Sequence, residues 1–549
     1  MAGVVAVTAT LSGIAPSAQA PALSPADTKA IDGIFEDYDK PGSPGCMLGV
    51  VADGPFVYSR GYGRANIEHD VAFTTQTVFD IGSTSKQFLA TAILLLVDAG
   101  KLSLDDDVRK YIPEVTDYGQ PITIRHLLTH TSGLRDYITL MTLAGWQLED
   151  LTTPAQALDI VSRQRGLDFR PGTEFAYSNT GFFLPSLIVQ RVSGMGLAAF
   201  AAERIFGPAG MKATRYMDDH AAIVPHRATG YEPAGTGFRV ALSNWEQLGD
   251  GAVQTSIADL LKWDANFYAP KIGGERLVRT LQEEGKLASG KPIGYGLGLF
   301  LGTYRGLPTV RHGGSWAGYR ADLLRFPGEK TSVMVLCNLA TADPEDRANR
   351  VADIVLRGRL PEPAPRPDRA GPDPDTRVLT PFGGTYWHEE RMLVARFAPH
   401  ERGLEVLAGG EPRPLEAVGD SLYRVRDQPA RYRFIAGEPR RVERIPEGGD
   451  PLVFIAMEPW RPAAADLDRY VGAYFSDELQ ARWQIARDGQ TLVVRDLRAP
   501  TRVLAPVFRD VFTTGALVVK FDAGQGQTTG FAVGAGRARG MRFVRVVAR

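Results

Sequence analysis

Apolar and polar positions along the chain alternate between two periods. From Ala26 to Asp39 the spacing is helical, with Ile31, Ile34 and Phe35 on one stripe. Met47 to Val51 and Phe56 to Gly61 then read as two strands about the turn Ala52 to Pro55, whose Asp-Gly step is a hairpin signal. Gln87 to Ala99 is apolar, with no Pro or Gly until Gly100 at its end, so it predicts a buried helix. A second helical run follows Gly181 and passes Val192, with Gly194 just beyond it. A third starts at a cap near Ser256 and runs to Leu261. Gly294 to Leu301, Thr309 to Arg311, Ala321 to Phe326 and Ser332 to Asn338 read as strands.

After residue 358 the pattern changes. Arg359 to Pro374 is proline-rich and charged, a semi-rigid spacer. Beyond it Leu379-Thr-Pro-Phe-Gly-Gly-Thr-Tyr386 is matched by Leu467-Asp-Arg-Tyr-Val-Gly-Ala-Tyr474, and the register continues with Phe434 against Phe521. A period of roughly 88 residues is too long for a solenoid unit and suits a small β domain. Short alternating strands between Gly and Asp turns predict a barrel in each copy. The expected organisation is a signal at 1–20, a large first domain at 21–358, a linker at 359–375, and barrels at 376–461 and 462–549.

Composition narrows the class. At 549 residues the chain is long enough for about three domains. A net charge of −1 leaves no basic footprint for nucleic acid, and no uninterrupted apolar run is long enough for a membrane span. Met1 to Ala20 carry no charge and end in Ala18-Gln19-Ala20, a signal-cleavage pattern, so export to the periplasm or medium is expected. Cys46 and Cys337 both lie in strand-like apolar runs. Free buried thiols are the expected state, with a bridge between neighbouring strands as the alternative.

The chemistry begins at Ser83-Thr-Ser-Lys86. Residues three apart share a helical face, which brings the Lys86 amine beside the Ser83 hydroxyl, and a lysine with a depressed pKa can take that proton. His126 and His130, four apart, lack the Glu that a zinc-protease helix needs, so packing and capping are expected, and no metal or cofactor. The nucleophile elbow G-x-S-x-G is absent, which argues against an α/β-hydrolase.

Three stretches stand in order: Ser83-Thr-Ser-Lys86, Tyr177-Ser-Asn179 and His312-Gly-Gly314. In this they resemble the serine β-lactamase and penicillin-recognising hydrolase superfamily, on its class C-like branch. The two barrels make the whole architecture similar to bacterial D-aminopeptidases. The resemblance implies an α/β (α+β) catalytic domain with an antiparallel central sheet and a helical cluster, then two all-β barrels. It implies Ser83 as nucleophile, Lys86 and Tyr177 sharing acid and base roles, and an oxyanion hole from the Ser83 and Ser315 amides. Asn179, His312, Gly313 and Gly314 would bind substrate.

The implied activity is acyl-enzyme hydrolysis of short D-amino-acid amides or peptides. The same fold admits a carboxylesterase or weak β-lactamase, and a penicillin-binding receptor or scaffold is the non-enzyme alternative. The expected partner is a small molecule or short peptide, with a homodimer left open. His312 replaces the lysine of the third motif and is mostly neutral at pH 7, which disfavours substrate carboxylates. Thr513 to Ala516, where the D-aminopeptidases are expected to carry a longer loop, reads as a tight turn and implies an open cleft.

Overall fold

The structure is a computed structural model that describes residues 23–360 and 376–546, apart from 402, 408–411, 420, 426–427, 429, 447–449, 497–499, 523 and 525. The expected signal and most of the proline-rich spacer lie outside the described residues.

A six-stranded antiparallel sheet forms the centre of the first domain. Its spatial order is Phe300–Tyr304, Leu307–Trp316, Tyr319–Phe326, Thr331–Cys337, Cys46–Ala52 and Phe56–Tyr62. The hairpin predicted from Asp53-Gly54 thus forms one end of the sheet, and the C-terminal strands build the rest. The middle strands Cys46–Ala52 and Thr331–Cys337 are buried along almost their whole length, because both sheet faces are covered. Helices Pro25–Ile34 and Pro344–Val355 cover one face through Ile31, Ile34, Phe35, Ala348 and Val351. The helical cluster, led by Lys86–Asp98 and Thr180–Ser193, covers the other.

Cys46 and Cys337 are direct cross-strand partners and form a disulfide, so the expectation of free thiols is corrected. Antiparallel pairing makes neighbours of residues 291 apart in sequence, a register that the local pattern around each cysteine does not carry.

Two other expectations shift. Residues 294–299 bend rather than extend: Gly294 and Gly298 take φ of +67° and +78°, and the strand starts at Phe300. A Cβ on Gly298 would sit 2.8 Å from the Lys86 carbonyl carbon, so glycine lets this segment lie against the start of the Lys86–Asp98 helix. The strand expected at Thr309 to Arg311 runs from Leu307 to Trp316 and takes in His312-Gly-Gly314.

The two repeats are closed eight-stranded barrels, from Gly384–His388 to Leu452–Met457 and from Gly472–Ser476 to Met541–Arg545. Their equivalence extends to hydrogen bonds: the Tyr386 hydroxyl donates to the Phe382 carbonyl at 2.8 Å, and that of Tyr474 to the Tyr470 carbonyl at 2.7 Å.

The second barrel is bound tightly to the catalytic domain. Trp483 donates its indole N–H to the Leu143 carbonyl at 3.3 Å and shares a continuous apolar core with the helical cluster. Glu478 accepts from the Arg135 guanidinium at 3.0 Å and the Arg165 amide at 2.7 Å. The first barrel leans on the second through Trp387, Met392, Val507 and Phe508. It also reaches the catalytic domain by an Arg391–Glu174 ion pair at 2.6 Å. Among the described residues no single helix is long and apolar enough to cross a membrane.

Candidate active site

Ser83 lies in a single turn of 3₁₀ helix, Gly82–Ser85, that runs directly into the Lys86–Asp98 helix. In a 3₁₀ turn residues three apart eclipse one another. The Lys86 ammonium nitrogen accordingly lies 3.0 Å from Ser83 Oγ. The same nitrogen reaches Asn179 Oδ1 at 2.9 Å and the Asp250 carbonyl at 2.6 Å. Lys86 is fully buried. Burial pushes its pKa down to about 7, against the opposing pull of the Asp250 and Asp136 carboxylates, while the Arg537 charge pushes further down.

The turn is clamped to the sheet. Thr84 Oγ1 donates to the His312 carbonyl at 3.0 Å, and Ser85 Oγ accepts from the Val253 amide at 3.1 Å. The sequence answers with glycine where the two backbones meet. A Cβ on Gly314 would come within 1.9 Å of the Ile81 carbonyl oxygen, and one on Gly82 would lie 2.6 Å from the Ser315 nitrogen. The Gly82 turn and the Ser315 amide are therefore in close contact.

Tyr177 and Asn179 enter where the loop after Gly172 meets the Thr180–Ser193 helix. The Tyr177 hydroxyl is buried and faces Ser83 without completing a hydrogen bond. Burial raises its pKa, and the nearby Ser83 hydroxyl and Arg537 charge only partly offset that, so it is a phenol at neutral pH. The Lys86 nitrogen lies 4.9 Å from the centre of the Tyr177 ring.

His312 does not face the cleft as a free group. It is 2% exposed, and its neighbours determine its tautomer. The Ser178 amide donates to His130 Nδ1 at 3.1 Å, which leaves the His130 proton on Nε2, 3.2 Å from the Tyr295 hydroxyl. Tyr295 then donates to His312 Nε2 at 3.0 Å, and His312 Nδ1–H meets the Gly313 carbonyl at 2.6 Å. Every donor in this line has one acceptor. Burial and the Lys86 charge hold His312 down to about 3, so the ring is neutral. The carbonyls of His312 and Gly313 have protein partners as well.

Several residues of the site carried no local signal. Asp136 accepts the Asn179 amide at 2.6 Å on Oδ2. Asp250, between Gly249 and Gly251, offers its carbonyl to Lys86 and accepts the Tyr137 hydroxyl at 3.1 Å. Arg537 comes from the loop before the last strand of the second barrel, and its guanidinium lies 4.9 Å from the Tyr177 ring centre. The turn at Thr513 to Ala516 is short, as the sequence implied, since Thr514 pairs with Leu517. The cleft is nonetheless approached by the barrel through the Arg537 loop, which corrects the expectation of an open cleft. His126 caps its own helix by accepting the Thr123 amide at 3.3 Å.

Ser83, Tyr177, Asn179, Asp250, His312 and Arg537 line a cavity of about 980 Å³ that extends to Trp316, Arg311 and Glu345. At its rim Asp219, His220 and Glu246 bring ligand-type atoms together, with His220 Nδ1 bonded to Glu246 Oε1 at 2.8 Å.

The beta-lactamase family model matches residues 31–356. The chain belongs to the beta-lactamase family. Among its relatives are a D-aminopeptidase of Cereibacter sphaeroides, 31% identical over 81% of this chain and 82% of that protein. A D-aminopeptidase of Brucella canis is 28% identical over 92% of this chain and 96% of its own length. The octameric penicillin-binding protein homologue of Pyrococcus abyssi shares the fold, with a TM-score of 0.54 at 22% identity over 86% of this chain and 99% of that one. The beta-lactamase domain spans the sheet, Ser83, Lys86, Tyr177, Asn179 and His312. Arg537 lies outside it, so this part of the cleft is an addition to the family's domain.

Proposed function

We propose that the chain is an exported serine hydrolase that cleaves short D-amino-acid amides and peptides through an acyl-enzyme. The observation that carries this reading is the buried Lys86 amine 3.0 Å from the Ser83 hydroxyl. The relatives named D-aminopeptidase, which match most of the chain including the barrels, support the substrate class.

In this mechanism Lys86, with its pKa pushed down to about 7, accepts the Ser83 proton as Ser83 Oγ bonds to the substrate carbonyl carbon. The amides of Ser83 and Ser315 stabilise the resulting oxyanion, a type of contact whose loss costs about 100-fold in rate. Tyr177, a phenol by virtue of its burial, gives its proton to the leaving nitrogen as the carbon–nitrogen bond breaks. It is reprotonated from Lys86, so the serine proton ends on the amine. A water molecule then attacks the acyl-enzyme, giving one proton to the Lys86–Tyr177 pair, and Ser83 Oγ leaves and is reprotonated. This divides roles that the sequence left shared: Lys86 is the base and Tyr177 the acid. Asn179 holds Lys86 in place. His312 keeps the strand and turn in register and makes no substrate contact with its ring. The Cys46–Cys337 disulfide supports export, because such bonds persist in oxidising compartments.

The test is turnover on D- and L-alaninamide, a p-nitrophenyl ester and a chromogenic cephalosporin, with fluorophosphonate labelling of wild type and Ser83→Ala. Selective turnover of the D-amide with labelling lost in Ser83→Ala is the expected result. Labelling that persists in Ser83→Ala, or turnover confined to the cephalosporin, overturns the reading.

A further inference from the structure

The third motif offers the cleft no cation. His312 is neutral, buried and bonded through both ring nitrogens. Other cations lining the cavity are committed. Arg311 pairs with Asp322 at 2.9 Å and Glu345 at 3.1 Å, and Arg320 donates to the carbonyls of Ala317 and Tyr319. Lys86 is spent inside the catalytic cluster, and Arg227 faces the buried Asp80 carboxylate.

Arg537 differs from all of these. Its side chain is exposed at the cavity wall and makes no hydrogen bond or ion pair with any described residue; its guanidinium lies over the face of the Tyr177 ring. Its backbone, in contrast, is pinned. The Arg537 carbonyl accepts the Asp136 amide at 2.9 Å, its amide reaches the Ala535 carbonyl at 2.6 Å, and Ala538 is fully buried. The next arginine anchors the loop to the catalytic domain: the Arg539 amide donates to Asp168 at 2.8 Å and its guanidinium to Glu174 at 3.2 Å. A loop held this firmly presents one guanidinium, with its donors free, beside the residue that protonates the leaving group. Little loop entropy remains to be lost on binding, and a guanidinium fork matches a carboxylate.

We infer that Arg537 is the cleft's carboxylate receptor, so that short D-amino-acid peptides ending in a free carboxylate are favoured over neutral amides. This rests on the hydrolase reading above and names the substrates within it. It also reverses the expectation drawn from His312: the cation absent from the third motif is supplied from the second barrel.

The experiment uses the full chain as wild type, Arg537→Gln and Arg537→Lys, at pH 9, well above the Lys86 pKa. It measures kcat/KM for D-alanyl-glycine against D-alanyl-glycinamide, and for the esters 3-carboxyphenyl acetate against 3-carbamoylphenyl acetate, whose charged or neutral group also rides on the leaving group. Effects of Arg537 on Lys86 are common to both members of a pair and cancel in their ratio. The charged-to-neutral ratio is expected to fall about tenfold or more in Arg537→Gln in at least one pair, and to recover in part in Arg537→Lys. In wild type the same ratio should fall as ionic strength rises from about 0.01 M to 1 M, which requires no variant. Ratios that Arg537→Gln and salt leave unchanged in both pairs overturn the assignment. If neither D-peptide is cleaved, the hydrolase reading loses its substrate class, while the ester pair still decides for or against Arg537.

Discussion

The Asp136 amide donates to the Arg537 carbonyl at 2.9 Å, the first of three hydrogen bonds that lead from the second barrel to Lys86. Asp136 Oδ2 accepts the Asn179 amide at 2.6 Å, and Asn179 Oδ1 accepts from Lys86 at 2.9 Å. Two bonds from the barrel backbone thus lead to Asn179, and one more leads to the base. The second barrel contributes Arg537 to the wall of the cleft.

The pH dependence of activity follows from Lys86. Its ordinary pKa is 10.5 and burial pushes it down to about 7. The base must be neutral, so activity is low while Lys86 is protonated and rises as pH passes upward through its pKa. The acid limb of kcat/KM should have its midpoint near 7 and a plateau above it. A midpoint near 10 would show that burial does not hold the amine neutral. Asp136→Asn removes a carboxylate that favours the ammonium, so the limb should move to lower pH.

Gly314→Ala should abolish activity. The added methyl would meet the Ile81 carbonyl within 1.9 Å, and that contact is backbone against backbone. The strand and the Ser83 turn would have to part, moving the Ser315 amide away from the nucleophile. A drop of 100-fold or more in kcat is expected with the chain still folded, in line with loss of an oxyanion donor. Wild-type turnover in this variant would mean that the Ile81–Gly314 contact does not position the site.

His312→Lys should destabilise the chain without creating a carboxylate site. The introduced ammonium would be buried near Lys86 and among Tyr295 and Phe300, without an anion. An uncompensated buried charge costs about 3 kcal/mol or more, visible as a clear fall in Tm. Unaltered Tm together with better turnover of carboxylate substrates would restore His312 to substrate recognition.

Glu478→Ala tests the docking of the second barrel. Arg135 is 8% exposed, and removal of Glu478 leaves its guanidinium with Asp168 at 3.4 Å and Gln164 at 3.0 Å. Breaking a buried pair outright costs about 3–5 kcal/mol, and the remaining Asp168 partner keeps the expected loss below that. Both Tm and kcat should fall, because the Arg135 backbone adjoins Asp136 and its carbonyl accepts the Thr180 hydroxyl at 2.6 Å. A fall in Tm with kcat intact would show that the barrel stabilises the chain without positioning Asn179 and Lys86.

What the sequence determined by itself was local or repeated. The three-residue spacing of Ser83 and Lys86 places their side chains together in any tight helical turn. The period of roughly 88 residues announced two equivalent barrels. The tertiary structure decided everything that depends on which distant segment lies alongside. Sheet register made partners of Cys46 and Cys337 across 291 residues. A loop near the C-terminus brought Arg537 to Tyr177, while the turn at Thr513 to Ala516 stayed short. The chemical state of His312 followed the same rule. A histidine on a strand has an ordinary pKa until Tyr295, Phe300 and Lys86 surround it, and then burial and a like charge keep it neutral. Spacing sets which groups share a face, but desolvation and Coulomb interaction act through space, and the neighbours that supply them are chosen by the fold.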